Sequence, residues 1–155
     1  MTKDKATNSI TPFLWFNDNL EQALDFYKSI FKNFEIQSLQ SMGEGEHKKV
    51  FGASFKINNQ HFQAINAGPM YTFNPSISFF VSCDNQTEID YYWEQFLAEG
   101  QELMCGWITD KFGITWQIIP STLGEYIRYP EGMTAMRQMK KLNIETLKNA
   151  TEKYR

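Results

Sequence analysis

The feature that most constrains this chain is an order of predicted elements that occurs twice. Each half of the first 120 residues predicts a strand, then a helix, then a group of strands. Phe26 in the first helix and Tyr92 in the second lie 66 residues apart. Ile10 and Ile77, near the starts of the two leading strands, lie 67 residues apart. Such a repeat predicts an α+β protein built from two βαβββ modules.

Both predicted helices follow a residue type that favours a helix start. Asp18 and Asn85 each precede a glutamate by three residues, which is the spacing of a capping box. Gly100 is expected to end the second helix. Apolar residues at helical spacing are Leu20, Ala23, Leu24, Tyr27, Ile30 and Phe31 in the first helix, and Ile89, Tyr92, Trp93, Phe96 and Leu97 in the second. Each helix is therefore predicted to cover one face of a sheet.

Short runs rich in aromatic and β-branched residues predict the strands. Pro12 in the first run favours an edge position, because proline cannot donate a hydrogen bond to a ladder. A flexible turn is expected at residues 42–47. The strands predicted before the last hairpin cover residues 10–16, 35–41, 50–57, 61–66 and 77–83.

The last predicted hairpin, residues 105–120, carries the most informative side chain. A strand is followed by a tight turn at residues 110–113 and by a second strand that ends at Pro120. Alternation places Gln117 on one face of this strand and Trp116 on the other. An amide on so apolar a strand either hydrogen-bonds within the core or points into a pocket, and Trp116 is predicted to belong to the core.

Composition limits the classes of partner. The chain has 155 residues, of which 15% are aromatic, so one domain with a packed interior or an aromatic-lined cavity is expected. A net charge of −3 argues against nucleic-acid binding. The sequence shows no signal peptide and no apolar run long enough to span a membrane, which predicts a cytoplasmic protein without a membrane partner. Cys83 and Cys105 are expected to be reduced thiols.

Residues 121–155 have no counterpart in the first half and predict a helical extension. Helices are expected over residues 133–142 and from an Asn143 cap to about residue 154. Residues 137–155 contain six basic and two acidic side chains. This charge fits a solvated helix face and equally fits contact with an anionic partner.

Several phrases of the sequence resemble the PhnB-like family of the vicinal oxygen chelate (glyoxalase/bleomycin resistance/dioxygenase) superfamily. Many members of that family carry the label 3-demethylubiquinone-9 3-methyltransferase. The phrases are Ile10-Thr-Pro-Phe-Leu-Trp-Phe16, Phe26-Tyr27-x-x-Ile30-Phe31, Asn66-Ala-Gly-Pro69, Ile77-Ser-Phe-Phe-Val81, Asp90-Tyr-Tyr-Trp93, Cys105-Gly-Trp107, Gly113-Ile-Thr-Trp-Gln-Ile-Ile-Pro120 and Met136-x-x-Met139-Lys-Lys-Leu-Asn143.

The resemblance implies a glyoxalase-like incomplete barrel formed by residues 10–120, with modules at 10–69 and 76–120. The extension at 121–155 is expected to pack on the same domain, and residues 1–9 are expected to be disordered. The resemblance also implies a homodimer, for which the aromatic first strand offers an apolar contact surface.

In metal-using relatives each module supplies two metal ligands, one from its first strand and one from its last. The resemblance puts these positions at Thr11, Gln63 or Ala64, Ser78 and Gln117. Their polar groups are neutral hydroxyls and amides, whereas a divalent metal favours carboxylate, imidazole or thiolate ligands. His47 and His61 lie away from these positions. We therefore predict that the protein uses no metal and no other cofactor.

Side chains alternate between the two faces of a strand. Residues two or four positions from these polar positions therefore face the same cavity that the resemblance implies. For Trp107, the cavity and the core both remain possible. The candidate pocket residues are Thr11, Phe13, Trp15, Gln63, Ser78, Phe80, Trp107, Thr115 and Gln117. They predict an aromatic-walled cup with a polar floor, which suits a small hydrophobic or aromatic molecule. Alternatively, the polar side chains meet in the middle and hydrogen-bond one another.

The leading functional hypothesis is metal-independent binding of such a molecule. Two alternatives stay open, namely a superfamily enzyme (a lyase, a dioxygenase or the labelled methyltransferase) with unrecognised ligands, and an interaction module with a vestigial cavity. No nucleophile–base pair stands out. The one Gly-x-Gly, at residues 43–45, lies among charges and lacks the context of a nucleotide-like cofactor site, so the residues do not support a methyltransferase.

Overall fold

A computed structural model describes residues 10–155, so the disorder predicted for residues 1–9 lies outside the described part of the chain. The chain divides into two compact units, Met1–Thr72 and Phe73–Arg155. Each unit contains one sheet of four strands. Each predicted module therefore has a sheet of its own.

The first unit follows the predicted order of strand, helix and three strands. One face of its sheet packs against the helix, because Phe16, Phe55 and Phe62 are buried together with the apolar face of α1. The sheet order is β1-β4-β3-β2, with β1 parallel to β4 and the other pairs antiparallel. The elements are β1 (Phe13–Phe16), α1 (Leu20–Ile30), β2 (Phe34–Met42), β3 (Lys49–Ile57) and β4 (Gln60–Asn66), with a 3₁₀ turn at Gly45–His47.

The second unit repeats this topology and then adds the extension. Its sheet order is β5-β8-β7-β6, with β5 parallel to β8. The elements are β5 (Ser78–Cys83), α2 (Gln86–Leu97), β6 (Gln101–Glu102), β7 (Trp107–Thr109), β8 (Thr115–Pro120), α3 (Leu123–Ile127), α4 (Pro130–Gln138) and α5 (Ile144–Ala150), with a final 3₁₀ turn at Glu152–Tyr154. The predicted α+β fold of two βαβββ modules with a C-terminal helical extension is confirmed.

The two units also have an equivalent backbone hydrogen bond just after the last strand of each sheet. In the first, the Ala67 amide donates to the Phe16 carbonyl at 3.0 Å, just after β4. In the second, the Ser121 amide donates to the Cys83 carbonyl at 2.7 Å, just after β8. Both bonds extend the ladder between the parallel strands by one step. They fix which residues of one module correspond to which residues of the other.

The second helix begins as predicted, with the Asn85 side chain accepting from the Glu88 amide at 3.0 Å. The first helix is present as predicted, but its predicted capping residue was wrong. Asp18 has a positive φ of 57°, and the capping position falls on Asn19, whose side chain makes no capping hydrogen bond. Instead, Asn66 on β4 accepts from the Leu20 amide at 3.0 Å, so a distant strand satisfies this helix end.

The first strand begins at Phe13 and is therefore shorter than predicted, although it does lie at the edge of its sheet. The helix predicted over residues 133–142 also has different bounds, since α4 ends at Gln138. The chain beyond α4 runs past the loop before β7, where the carbonyl of Met139 accepts from the amide of Cys105 at 2.7 Å. Cys105 has a positive φ of 62°, so the predicted strand begins later, at Trp107.

The extension is attached to the second module by one side chain in particular. The Gln86 amide nitrogen donates to the Leu142 carbonyl at 3.1 Å, and its oxygen accepts from the Ile144 amide at 2.8 Å. Leu142 and Leu147 are completely buried. Asn143 caps α5 as predicted, accepting from the Thr146 amide at 2.8 Å.

Within residues 10–155, no helix combines the length and the apolar character needed to cross a membrane. Both cysteines are free thiols. Cys83 is buried, and desolvation together with the nearby carboxylates of Glu88 and Asp84 raises the pKa of its thiol to about 12. Such a thiol stays protonated and unreactive at neutral pH.

Candidate functional site

Each sheet has one face covered by its own helix and an opposite face without a helix. In the second unit, Trp93 on α2 and Trp116 on β8 are buried, as predicted for the core. The Trp116 ring stacks on Phe96 of α2, with ring centroids 4.9 Å apart. Since neighbours along a strand alternate, Gln117 lies on the helix-free face.

The helix-free face of the second unit is organised around Gln117. Its register partners are Phe80 on β5 and Trp107 on β7, so all three side chains share one face. The Gln117 amide nitrogen donates to the Ser78 hydroxyl at 2.8 Å. Phe80 is 61% exposed, whereas Gln117 and Ser78 are half-buried. Gln117 is therefore not a fully buried core amide.

Two other residues of this face are packed. Thr115 is only 1% exposed, and its hydroxyl lies 3.3 Å from the hydroxyl of Thr109. Ile119 is also buried, and its Cδ1 atom and that of Leu142 both lie against Gly106. The predicted wall residue Thr115 is thus a packed position, and the open part of the face lies around Phe80.

The helix-free face of the first unit carries Phe13 and Gln63, which are register partners on β1 and β4. Phe13 is 59% exposed and Gln63 is also exposed. Ala64, the alternative to Gln63, is buried on the helix side. Thr11 precedes β1 and is half-buried.

Trp15 continues this face and is held by its surroundings. Its indole nitrogen donates to the Gly68 carbonyl at 2.9 Å. Its ring meets the ring of Tyr71 edge-on, with centroids 4.9 Å apart. The loop after β4 therefore fixes the orientation of a half-buried indole beside the exposed Phe13.

The two faces carry the same pair at corresponding positions. Phe13 pairs with Gln63 across the parallel strands of the first unit, and Phe80 pairs with Gln117 across those of the second. The equivalence follows from topology, because both pairs join the first and last strands of a module. Each unit thus presents an exposed phenyl ring directly beside a primary amide.

The metal ion that the fold class implies does not fit these residues. Thr11, Gln63, Ser78 and Gln117 offer only neutral oxygen and nitrogen atoms, which cannot balance the charge of a dication. In the part of the chain that is described, three or more His, Cys, Asp or Glu side chains do not cluster anywhere in a way that could hold a metal. His61 lies at the surface, with its Nδ1 atom 3.0 Å from the side-chain oxygen of Gln37.

Sequence reasoning missed one residue that shapes this region. The sequence predicts only a turn at Asp110, yet this residue is 3% exposed and its carboxylate accepts hydrogen bonds from three named donors. Its donors are the amide of Phe112 at 2.9 Å, the amide of Ile114 at 3.1 Å and the indole of Trp116 at 2.9 Å. The carboxylate therefore joins the turn to the strand that carries Gln117.

The duplicated βαβββ topology, with parallel first and last strands in both modules, defines a member of the vicinal oxygen chelate superfamily. A family model described as 3-demethylubiquinone-9 3-methyltransferase matches residues 8–119. The chain belongs to this PhnB-like family. The family match ends before the helical extension, so the phrase at residues 136–143 lies outside it.

Among solved structures, a PhnB protein described as a putative 3-demethylubiquinone-9 3-methyltransferase, from Bacillus cereus, is 34% identical. The match covers 71% of this chain and 97% of that protein, with a TM-score of 0.64. Protein PA1353 from Pseudomonas aeruginosa is 21% identical over 71% of this chain and 95% of its own, with a TM-score of 0.56.

The fold is shared with more distant proteins as well. The fosfomycin resistance protein FosX from Listeria monocytogenes, in complex with Mn(II) and sulfate, is 16% identical over 79% of this chain and 96% of its own, with a TM-score of 0.52. No curated protein matches the sequence.

Proposed function

We propose that the helix-free faces of the two modules bind a small hydrophobic or aromatic molecule without the help of a metal ion. The observation that carries this proposal is the repeated Phe–Gln pair, in which an exposed phenyl ring lies beside an amide. Exposed apolar groups mark interaction sites, and apolar side chains combined with a few placed polar groups are typical of small-molecule sites. A chain that needed these positions only for packing would bury Phe13 and Phe80 instead of exposing them.

The amide of Gln117 would orient the ligand. Its nitrogen is engaged by Ser78, which fixes the side-chain conformation. Its oxygen would then accept a hydrogen bond from a hydroxyl or an N–H group of the ligand. Phe80 and Trp107 on either side would supply apolar contact area. A compound such as 2-naphthol, with one donor on a flat ring system, combines both requirements.

Replacing Gln117 by leucine is expected to abolish the rise in melting temperature that 2-naphthol produces in the wild type. The change should itself lower the free energy of unfolding by at most about 1–2 kcal/mol, because it removes one hydrogen bond from a half-buried site. Thermal unfolding followed by circular dichroism, with and without 2-naphthol, measures both effects.

Gln101→Leu is the matched control, because Gln101 is exposed on β6. It should leave the response to 2-naphthol intact. An undiminished response in Gln117→Leu would refute the role of Gln117. A wild type that 2-naphthol and related neutral aromatic compounds never stabilise would refute the proposed function.

Protein purified without a chelator should contain far less than one equivalent of zinc, nickel, manganese or iron, as measured by plasma mass spectrometry. The reason is the neutral donor set at the four positions where the superfamily places its metal ligands. One equivalent retained through dialysis, with a melting temperature that falls on adding EDTA, would contradict this part of the proposal.

We also propose that the protein is a homodimer. Phe13 is exposed on the edge strand β1, whose outer side offers free backbone groups as well as an apolar ring. Light scattering should therefore give twice the 18.2 kDa mass of the chain at micromolar concentration, and Phe13→Asp should lower it. Phe16 is buried and cannot contribute to this surface. A wild-type mass of one chain would exclude the dimer.

A further inference from the structure

The C-terminal extension forms a cavity of about 460 Å³ that is open to solvent and belongs to neither helix-free face. Tyr126 on α3, Tyr129 just before α4 and Tyr154 at the final turn all line it. The rings of Tyr129 and Tyr154 are parallel, with centroids 4.0 Å apart. The Tyr154 hydroxyl donates to Glu131 at 2.8 Å, which fixes this ring. The cavity wall is therefore aromatic and ordered by specific contacts.

Three side-chain cations line the same cavity, namely Arg128, Lys148 and Arg155, and the lining contains one acidic side chain, Glu125. The ion pairs of the extension use other residues, since Lys140, Lys141 and Lys153 pair with Glu102, Asp90 and Glu131. Across residues 10–155, no ion pair involves any of the three cations that line the cavity. Counted over the side chains that line it, the cavity therefore carries more positive than negative charge.

Two of these cations are held by aromatic rings. The Arg128 guanidinium lies 5.3 Å from the ring centre of Tyr129, and the Arg155 guanidinium lies 5.8 Å from that of Tyr126. The Nε–H group of Arg128 also donates to the backbone carbonyl of Glu125 at 3.0 Å, so the terminal NH₂ groups of this guanidinium are the donors that remain for an anion. Two guanidinium groups and an ammonium around one cavity are a typical arrangement for binding a phosphate group.

We propose that this cavity binds a small phosphorylated compound with a planar ring, of the size of a nucleoside monophosphate. The guanidinium groups would take the phosphate. The tyrosine rings, whose faces contact one another or a cation, would meet the planar ring through their edges. A volume of about 460 Å³ lies within the usual range for small-molecule sites. The neighbouring cavity of about 350 Å³ shares Lys148 with this one but also carries Asp84 and Glu145, so the net charge of its side chains is negative and less suited to a phosphate.

This site does not depend on the function proposed for the helix-free faces. The family model ends at residue 119, whereas every residue that carries the argument lies between residues 125 and 155. The proposed binding is therefore a property of the extension.

The test is isothermal titration calorimetry of the full chain with AMP, adenosine and inorganic phosphate. AMP should bind saturably, more tightly than either of its two parts, and more weakly as the salt concentration rises. Arg128→Ala should weaken AMP binding by roughly tenfold or more, because it removes charge-assisted hydrogen bonds. Lys148→Ala should weaken it as well.

Arg137→Ala is the matched control, because Arg137 is exposed on α4 and does not line the cavity. It should leave AMP binding unchanged, as should Gln117→Leu. Equal losses in Arg137→Ala and Arg128→Ala would overturn the proposal, since they would indicate general attraction to a basic tail. Adenosine binding as tightly as AMP, or no saturable AMP binding at millimolar concentration, would also overturn it. Circular dichroism of each variant separates loss of binding from loss of fold.

Discussion

Replacing Asp110 by alanine is expected to lower the free energy of unfolding by about 3–5 kcal/mol. The carboxylate is buried and accepts from two backbone amides and from the Trp116 indole. Alanine leaves these three donors without their acceptor, and each buried unsatisfied donor costs about 1–3 kcal/mol. The effect is larger than that expected for Gln117→Leu, whose hydrogen bond lies in a half-buried site. Urea unfolding followed by tryptophan fluorescence measures it.

Asp25→Ala is the matched control, because it makes the same chemical change at an exposed position of α1. It should change the free energy of unfolding by less than about 0.5 kcal/mol. Asp110→Asn should fall between the two, since its amide keeps one oxygen acceptor but turns a donor towards another donor. A loss below about 1 kcal/mol for Asp110→Ala would show that water replaces the carboxylate.

Gly132→Ala is expected to destabilise the extension by about 2–4 kcal/mol. An added Cβ atom would lie 2.1 Å from the Tyr126 carbonyl oxygen and 2.7 Å from its carbon, and both are backbone atoms that cannot rotate away. Alanine gains about 1 kcal/mol over glycine in a helix, which is too little to offset such a clash. Because Tyr126 lines the cavity of the extension, the variant should also lose AMP binding.

Gly124→Ala provides the contrast within the same extension. Gly124 lies in α3, and a Cβ atom added there would meet nothing within 4 Å. This change should be neutral or should stabilise the protein by up to about 1 kcal/mol. Thermal unfolding of both variants, with hydrogen exchange of the α3 and α4 amides, separates a local effect from a global one. Equal melting temperatures for the two variants would contradict the steric argument.

The fold could be predicted because its signals are local and occur twice. The alternation of apolar and polar residues on β8 and the cap at Asn85 need only neighbouring residues, and both predictions hold. The start of α1 could not be predicted, because the group that satisfies it is Asn66, which lies 46 residues away in the sequence. The end of α4 depends likewise on backbone contacts with the loop at Cys105.

The candidate site was predictable only in part. Alternation alone could not decide between Gln63 and Ala64, because this required the register of β4 against β1. The burial of Thr115 depends on packing that no local pattern contains. The sequence gives only a weak indication of the role of Asp110, namely an aspartate at the start of a turn with a tryptophan six residues later. Whether such a pair meets depends on the path of the chain between the two residues.

The extension makes the two modules unequal in how freely their outer strands can change in length. The outer strand of the first sheet, β2, has nine residues, whereas its counterpart β6 has only two. The extension occupies the corresponding region of the second module, where Gly106 donates to the carbonyl of Lys140 at 2.7 Å. The tip of the β2–β3 hairpin, residues 43–48, is exposed, so we expect insertions and deletions there to be tolerated. The same changes near Gly106 would have to be matched by changes in the extension, so the second half of the duplication is expected to evolve more slowly in length.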